Sequence, residues 1–188
     1  MHRILAFAAS NSQSSINRSL VTLAAGRFRQ GFMSAVEIEY LDLNDFEMPI
    51  YSIDRETASG IPDQAELFYH KIGSSDGLFV SFAEHNGTVT AAWKNIFDWM
   101  SRIDSKVWQQ KKLLLLAATP GKRAGAGVLE YVGRASFFGG EVVATLGIGH
   151  WAIAFDAATQ SFTRQEDWDA LDSALSEFSR ALTRSART

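Results

Sequence analysis

At 188 residues, 46% of them hydrophobic and with a formal net charge of -3, the chain is long enough for one buried core and lacks the basic excess that a nucleic-acid partner requires. It has no cysteine, which excludes disulfides, thiolate metal sites and cysteine nucleophiles. Its longest aliphatic run, Leu113–Ala118, is too short for a bilayer, and Ile4–Ala9 is too short for a signal-peptide core, so the expectation is one cytoplasmic domain over residues 1–188 with no membrane partner.

The stretch Ile4–Ala9 is apolar at every position, as a strand buried on both faces in the middle of a sheet must be. It breaks into Ser10-Asn11-Ser12-Gln13-Ser14-Ser15, after which Ile16, Leu20, Leu23, Ala24 and Phe28 fall on one helical face. Strand, hydroxyl-rich turn and helix N-terminus in that order make an anion site. The first helical N–H groups lack intrahelical partners, the dipole favours negative charge, and the hydroxyls add donors. Capping by Ser14 or Ser15 accounts for one serine, not four.

Val36–Leu41 alternates apolar with polar, as an edge strand with one wet face. Asp42–Pro62 reads as one long connection; its Met48-Pro49-Ile50-Tyr51 either walls a substrate pocket or is a surface excursion with Tyr51 packed down. Ala65, Phe68 and Ile72 mark a short helix ending at Gly73, and Asp76–Phe82 a third strand. A second small and polar turn, Ala83–Thr88, precedes Trp93, Ile96, Phe97, Met100 and Ile103 at helical spacing. Lys111–Thr119 is a fourth, Leu-rich strand, followed by a third special loop, Pro120–Gly127. A helix then continues through Leu129, Val132 and Phe137, and Gly139-Gly140 turns the chain into a fifth strand, Val142–Ile148. Ala152–Phe155 offers a short extra strand and Thr163 with Glu166 a capping box. Trp168, Leu171, Leu175, Phe178 and Leu182 form the stripe of a last helix, with Arg184 and Arg187 in a frayed basic tail.

Strands alternating with helices predict an α/β fold, a parallel sheet covered on both faces through right-handed crossovers. Ligands of such sheets bind outside the carboxyl ends of strands, where strand order reverses. The order 2-1-3-4-5 gathers the loops after the first, third and fourth strands at one crevice. No Walker loop is present, no G-x-G-x-x-G follows the first strand, and no G-x-S-x-G elbow stands at a strand-to-helix turn. The histidines at 2, 70, 85 and 150 have no metal-ligand spacing; His85 alone lies in a site loop, where by itself it reads as a surface or stacking residue. Without a resident acid–base team, a reactive cofactor must supply any redox chemistry.

These three loops resemble those of the NADPH-dependent FMN reductases, a flavodoxin-like group that includes chromate, azo-dye and quinone reductases. The family's opening G-S-x-R-x-x-S-x-N is matched by Ala9–Asn17. Its second signature, P-E-Y-N-G-S-x-P-G-x-L-K-N-A-I-D-W, is matched by Ala83–Trp99, with Glu84, Asn86-Gly87, Lys94-Asn95 and Asp98-Trp99 in place. Pro49 with Asp54 resembles the family's Pro-hydrophobic-aromatic segment and Thr119-Pro120-Gly121 its third flavin loop, so that the likeness runs from residue 3 to about 149. The departures are Ser12 for the family arginine, Thr90-Ala91 for Pro-Gly, and His85 for the ring-facing tyrosine.

The resemblance implies a flavodoxin-like three-layer sandwich whose five-stranded parallel sheet has the order 2-1-3-4-5. It implies FMN as cofactor, its phosphate held by Ser10, Ser12, Ser15, Asn17 and the backbone at Ile16. Ala83, Glu84, His85, Asn86, Gly87 and Thr88 line the isoalloxazine, and Thr119, Pro120 and Gly121 close its other side. No side chain is assigned a catalytic role and no metal is expected. Hydride passes from NADPH, or NADH, to FMN and electrons then go to a small acceptor: a quinone, azo compound, free flavin or metal oxyanion. Lys122 and Arg123 are placed to pair with the 2′-phosphate of NADPH. The competing readings are a flavin-binding electron carrier and a homologue that has lost flavin turnover. A homodimer or homotetramer is expected because Ile96, Trp99 and Ile103 widen the stripe of Trp93, Phe97 and Met100; burial of that wide stripe within the monomer is the alternative.

Overall fold

A computed structural model describes residues 1–185 of the chain; Arg187 of the basic tail lies outside them. The five apolar or alternating runs form strands β1 (His2–Ala9), β2 (Val36–Leu41), β3 (Gly77–Phe82), β4 (Lys112–Ala118) and β5 (Glu141–Ile148). All pair in parallel in the order β2-β1-β3-β4-β5. β1, β3 and β4 occupy the middle because they are apolar on both faces, and Ile4, Leu5, Phe79, Val80, Leu114 and Leu115 are fully enclosed. β2 takes an edge, with Glu37 exposed and Tyr40 half exposed.

Helices α1 (Ile16–Gly31) and α7 (Gln165–Ser185) cover one face of the sheet. Phe28, Phe79 and Phe178 meet edge to face at their centre, with ring centroids 5.2, 4.9 and 5.9 Å apart. α3 (Asp63–Gly73), α4 (Ala91–Ile103) and α5 (Ala126–Val132) cover the other around Phe7, Phe68, Trp93 and Trp108. The result is the expected flavodoxin-like three-layer sandwich. The right-handed path takes the loops after β1, β3 and β4 to one edge of the sheet.

Several expected elements differ. Asp42–Pro62 is not one loop. A 3-10 turn, Leu43–Phe46, buries Leu43 and Phe46, and α2 (Ile53–Ser59) starts where the Ser52 hydroxyl accepts from the Arg55 amide. α2 buries no residue, so it has no apolar stripe to read. The helix expected through Phe137 ends at Val132 and gives way to a 3-10 stretch, Gly133–Phe138, inside which Arg134 leaves helical geometry at ψ 15. In place of a strand at Ala152–Phe155 there is one helical turn, α6 (Trp151–Ala154), then a two-strand hairpin of β6 (Phe155–Asp156) and β7 (Ser161–Phe162), with Trp151 stacked 4.4 Å from Phe155. The capping box does not form: the Thr163 hydroxyl donates to the Ile153 carbonyl at 2.6 Å and Glu166 pairs with Arg164. Arg184 lies within α7 rather than in a frayed end.

Most of the wide stripe of α4 is buried by this chain itself: Trp93, Ile96, Trp99 and Met100 are buried, while Phe97 and Ile103 stay partly exposed. Asn95 donates to the Met48 and Pro49 carbonyls and accepts from the Tyr51 amide, while Trp99 Nε1 donates to Pro49 at 2.7 Å. Tyr51 packs edge-on against Trp99 at 5.0 Å. Trp99 and Ile96 thus face the Met48–Tyr51 segment and the core, and the width of α4 is no argument for a second copy.

Phe178 fastens α7 to the sheet, so Phe178→Ala should lower unfolding free energy by about 3–5 kcal/mol, and Phe178→Leu by clearly less. Urea unfolding measures both; equal losses would show that the ring packing has no special weight.

Candidate functional site

The loop after β1 turns tightly, with the Ser10 hydroxyl accepting from the Ser12 amide at 3.2 Å. Ser15 is the N-cap of α1, yet its hydroxyl accepts from no helical amide, and the first turn of α1 has no acidic residue. The helix N-terminus is therefore left positive and without a side-chain cap, beside four serine hydroxyls.

Asn17, in that first turn, is only 2% exposed. Its Oδ1 accepts from the Ala118 amide and the Ser81 hydroxyl, both at 2.8 Å, and its Nδ2 donates to the Ala118 carbonyl at 3.1 Å. The side chain expected at the phosphate is thus committed to pinning α1 onto the ends of β3 and β4.

The second loop is a two-residue hairpin. His85 and Thr88 exchange backbone hydrogen bonds of 2.9 and 3.1 Å, and Asn86 and Gly87 take φ of 54 and 80. An Asn-Gly pair accepts that positive φ at both positions. Glu84 Oε1 accepts from the Val128 amide at 3.1 Å, capping α5 from outside its own chain segment. A Cβ on Gly127 would stand 2.7 Å from Glu84 Oε1 and 2.9 Å from the Gly87 carbonyl, so this contact needs glycine. Thr90, where the family has proline, caps α4 through the Trp93 amide and donates to the Ala9 carbonyl, each at 3.1 Å. The hydroxyl stiffens this loop in place of the ring.

The third loop is held by the end of β5. Thr119 donates its amide to Ile148, Trp151 donates to the Thr119 carbonyl and His150 to that of Gly121, at 3.0, 3.2 and 3.2 Å. A Cβ on Gly147 would lie 2.1 Å from the Ala124 carbonyl, and one on Gly149 would lie 2.9 Å from that of Gly121. These glycines support the site and were not singled out by sequence reading; their signal is the Gly-x-Gly at the end of a strand.

The loops enclose a cleft of about 640 Å³. Ser10, Ser12, Ser14, Ser15, Ile16 and Asn17 form one wall, Ala83, Glu84 and His85 another, and Ala118 to Arg123 the third. Asn86, Gly87 and Thr88 stand outside its lining, in the exposed hairpin turn, and so does the Met48–Tyr51 segment docked on α4. A second, more apolar cavity of about 690 Å³ lies between α4 and the Gly133–Phe138 turn, with Phe137 74% exposed beside it.

Lys122 and Arg123 are exposed and, among the described residues, in no ion pair. Arg18 near the serine turn is bound 2.5 Å from Asp42. Burial pushes the Asp42 carboxyl up, but the Asn44 amide and side chain together with Arg18 outweigh it and hold it below the usual carboxylate range. Among the described residues no group of three or more His, Asp or Glu side chains could hold a metal ion, and no helix is long and apolar enough to cross a membrane.

A family model described as NADPH-dependent FMN reductase matches residues 2–157. The chain is 32% identical over 111 residues to a NAD(P)H:quinone oxidoreductase of Solanum tuberosum, covering 59% of this chain and 55% of that protein. It is 28% identical over 123 residues to an NADPH:quinone oxidoreductase of Arabidopsis thaliana, covering 65% and 61%. The matches thus span little more than half the length of these curated relatives. In fold it is similar to a flavoenzyme NAD(P)H:(acceptor) oxidoreductase from Paracoccus denitrificans, with a TM-score of 0.74, 19% identity and 98% of each chain covered. An FMN-dependent NADH-azoreductase from Bacillus anthracis, solved with FMN, gives a TM-score of 0.63 at 14% identity over 98% of this chain and 100% of that one.

Replacing Asn17 leaves the buried Ala118 amide and Ser81 hydroxyl without their acceptor. Asn17→Ala should cost about 2–4 kcal/mol and Ser81→Ala about 1 kcal/mol in denaturant unfolding. Equal, small losses would show that Asn17 does not tie α1 to the sheet.

Proposed function

The chain belongs to the NADPH-dependent FMN reductase family, and from that premise we propose that it is an FMN-dependent NAD(P)H oxidoreductase. Its second substrate is a small electron acceptor of the quinone, azo, free-flavin or metal-oxyanion class. The observation that carries this reading is the single cleft formed by the serine turn and the loops after β3 and β4.

The donor set fits the cofactor. An uncapped helix N-terminus and four hydroxyls suit a phosphate monoester, the terminal group of FMN. Ser10, Ser12, Ser15 and the Ile16 backbone hold the phosphate, and Asn17 sets the distance between that turn and the third loop. Ala83, Glu84 and His85 form one wall for the ring system, Thr119, Pro120 and Gly121 the other, and Asn86, Gly87 and Thr88 reach it only from the hairpin turn. Bound there, FMN supplies two-electron transfer between a nicotinamide and a second substrate. The cleft is open to solvent on one side, so donor and acceptor use it in succession, a ping-pong pattern. A carrier that docks a protein through an acidic rim is disfavoured by Lys122 and Arg123 at this rim.

The same reading includes a homodimer or homotetramer. Its support is the apolar cavity beside α4, where Phe137 and Tyr131 are 74% and 44% exposed.

Freshly purified protein supplied with FMN should show a bound-flavin spectrum that NADPH bleaches under nitrogen. Failure of both NADPH and NADH to reduce bound flavin would establish the carrier reading. Ser12→Arg restores the family cation to the turn. A charge-assisted bond exceeds a neutral one by about 1–2 kcal/mol, so FMN should tighten roughly tenfold to thirtyfold, less at high salt, with riboflavin unmoved. An unchanged FMN dissociation constant would place the phosphate elsewhere.

A further inference from the structure

We infer that Lys122 and Arg123 supply the cationic partner of the cofactor phosphate, taking over from the third loop the charge that this chain lacks at Ser12. The inference rests on the reading of the serine turn as the phosphate site, and it reassigns two residues that sequence reading gave to the 2′-phosphate of NADPH.

The turn itself carries no charge from Ser10 to Ser15. The first cation after it, Arg18, is bonded to Asp42 and lines a different cavity, with Tyr40 and Asp45, on the β2 side of α1. A dianion at the turn thus finds hydroxyls and amides but no formal positive charge there. Four residues with ionisable side chains line the cleft: Glu84, His85, Lys122 and Arg123. Glu84 is occupied by the Val128 amide, and Lys122 and Arg123 are the two cations of fixed charge.

Their position follows from the Asn17 clamp. Its bonds of 2.8 and 3.1 Å to both backbone groups of Ala118 hold α1 directly against the end of β4. Ser15 stands two residues before Asn17, and Lys122 four residues after Ala118. The third loop is tethered to the end of β5. Thr119 and Gly121 are tied to Ile148, His150 and Trp151, and Gly147 and Gly149 let its backbone lie against β5. Two long cationic side chains therefore start from a tethered loop that lines the same cleft as the serine turn, and neither is in an ion pair among the described residues. The 2′-phosphate of a donor is the competing anion at this rim, and comparison of NADPH with NADH separates the two.

The test is flavin binding to wild type and to the variant carrying Lys122→Gln with Arg123→Gln, read by fluorescence quenching at low and high salt with FMN and riboflavin. Both residues are exposed, so the fold should be unaffected. The variant should bind FMN about tenfold more weakly at low salt, with a smaller loss at high salt and no change for riboflavin. Adding Ser12→Arg to the variant should restore FMN affinity, because the cation then returns to the turn. If FMN affinity is unchanged, or FMN and riboflavin weaken equally, the inference is overturned. A rise in KM for NADPH but not NADH with FMN binding intact overturns it in favour of the 2′-phosphate. If wild type itself does not prefer FMN to riboflavin, the placement of the phosphate fails first, and the inference with it.

Discussion

The interaction on which the site depends is the bonding of one buried amide, Asn17, to both backbone groups of Ala118 and to the Ser81 hydroxyl. Parallel sheets leave the ends of their central strands unpaired where the chain departs into loops, and those groups need partners once helices cover them. An asparagine satisfies an N–H and a C=O at the same residue because it carries a donor and an acceptor on one short arm. A leucine of similar size would leave both Ala118 groups empty. An aspartate would set a carboxylate against the Ala118 carbonyl.

With α1 pinned in this way, the other ties bring each loop to the same place from a different direction. Glu84 carries the second loop to the amide end of α5, and Thr90 joins the start of α4 to the end of β1. Gly147 and Gly149 clear space for the third loop. These are polar bonds and close backbone approaches rather than apolar packing, and they leave the cleft floor rigid while its rim stays exposed. A rigid floor suits a ligand held by its phosphate and presented by one face, since little ordering entropy is lost on binding.

Much of the fold was legible because burial on two faces has a plain signature. β1, β3 and β4 are apolar without a break, β2 alternates, and the stripes of α1 and α7 have the helical period. The serine turn invited the proposal of an anion site because four hydroxyls exceed what capping needs, and in the structure Ser15 makes no side-chain cap. What escaped lies where local pattern and tertiary role part company. α2 buries nothing and so has no stripe, and the 3-10 stretch Gly133–Phe138 that replaces the end of the expected helix carries the same apolar residues a helix would. The wide stripe of α4 matched an interface as well as it matched burial; Pro49 and Tyr51 show that the same chain covers it. Asn17 lay in the expected motif, yet its bonds run to a residue far away in sequence, which no spacing can disclose.

On this reading the loops after β1, β3 and β4 act as one pocket for a flavin monophosphate. Amide hydrogen exchange, followed by mass spectrometry with and without FMN, tests it most directly. FMN should slow exchange together in the segments containing Ser12–Asn17, Ala83–His85 and Thr119–Arg123, and leave α3 and α7 as they were. Protection confined to the apolar cavity between α4 and the Gly133–Phe138 turn, or absent from the serine turn, would contradict it.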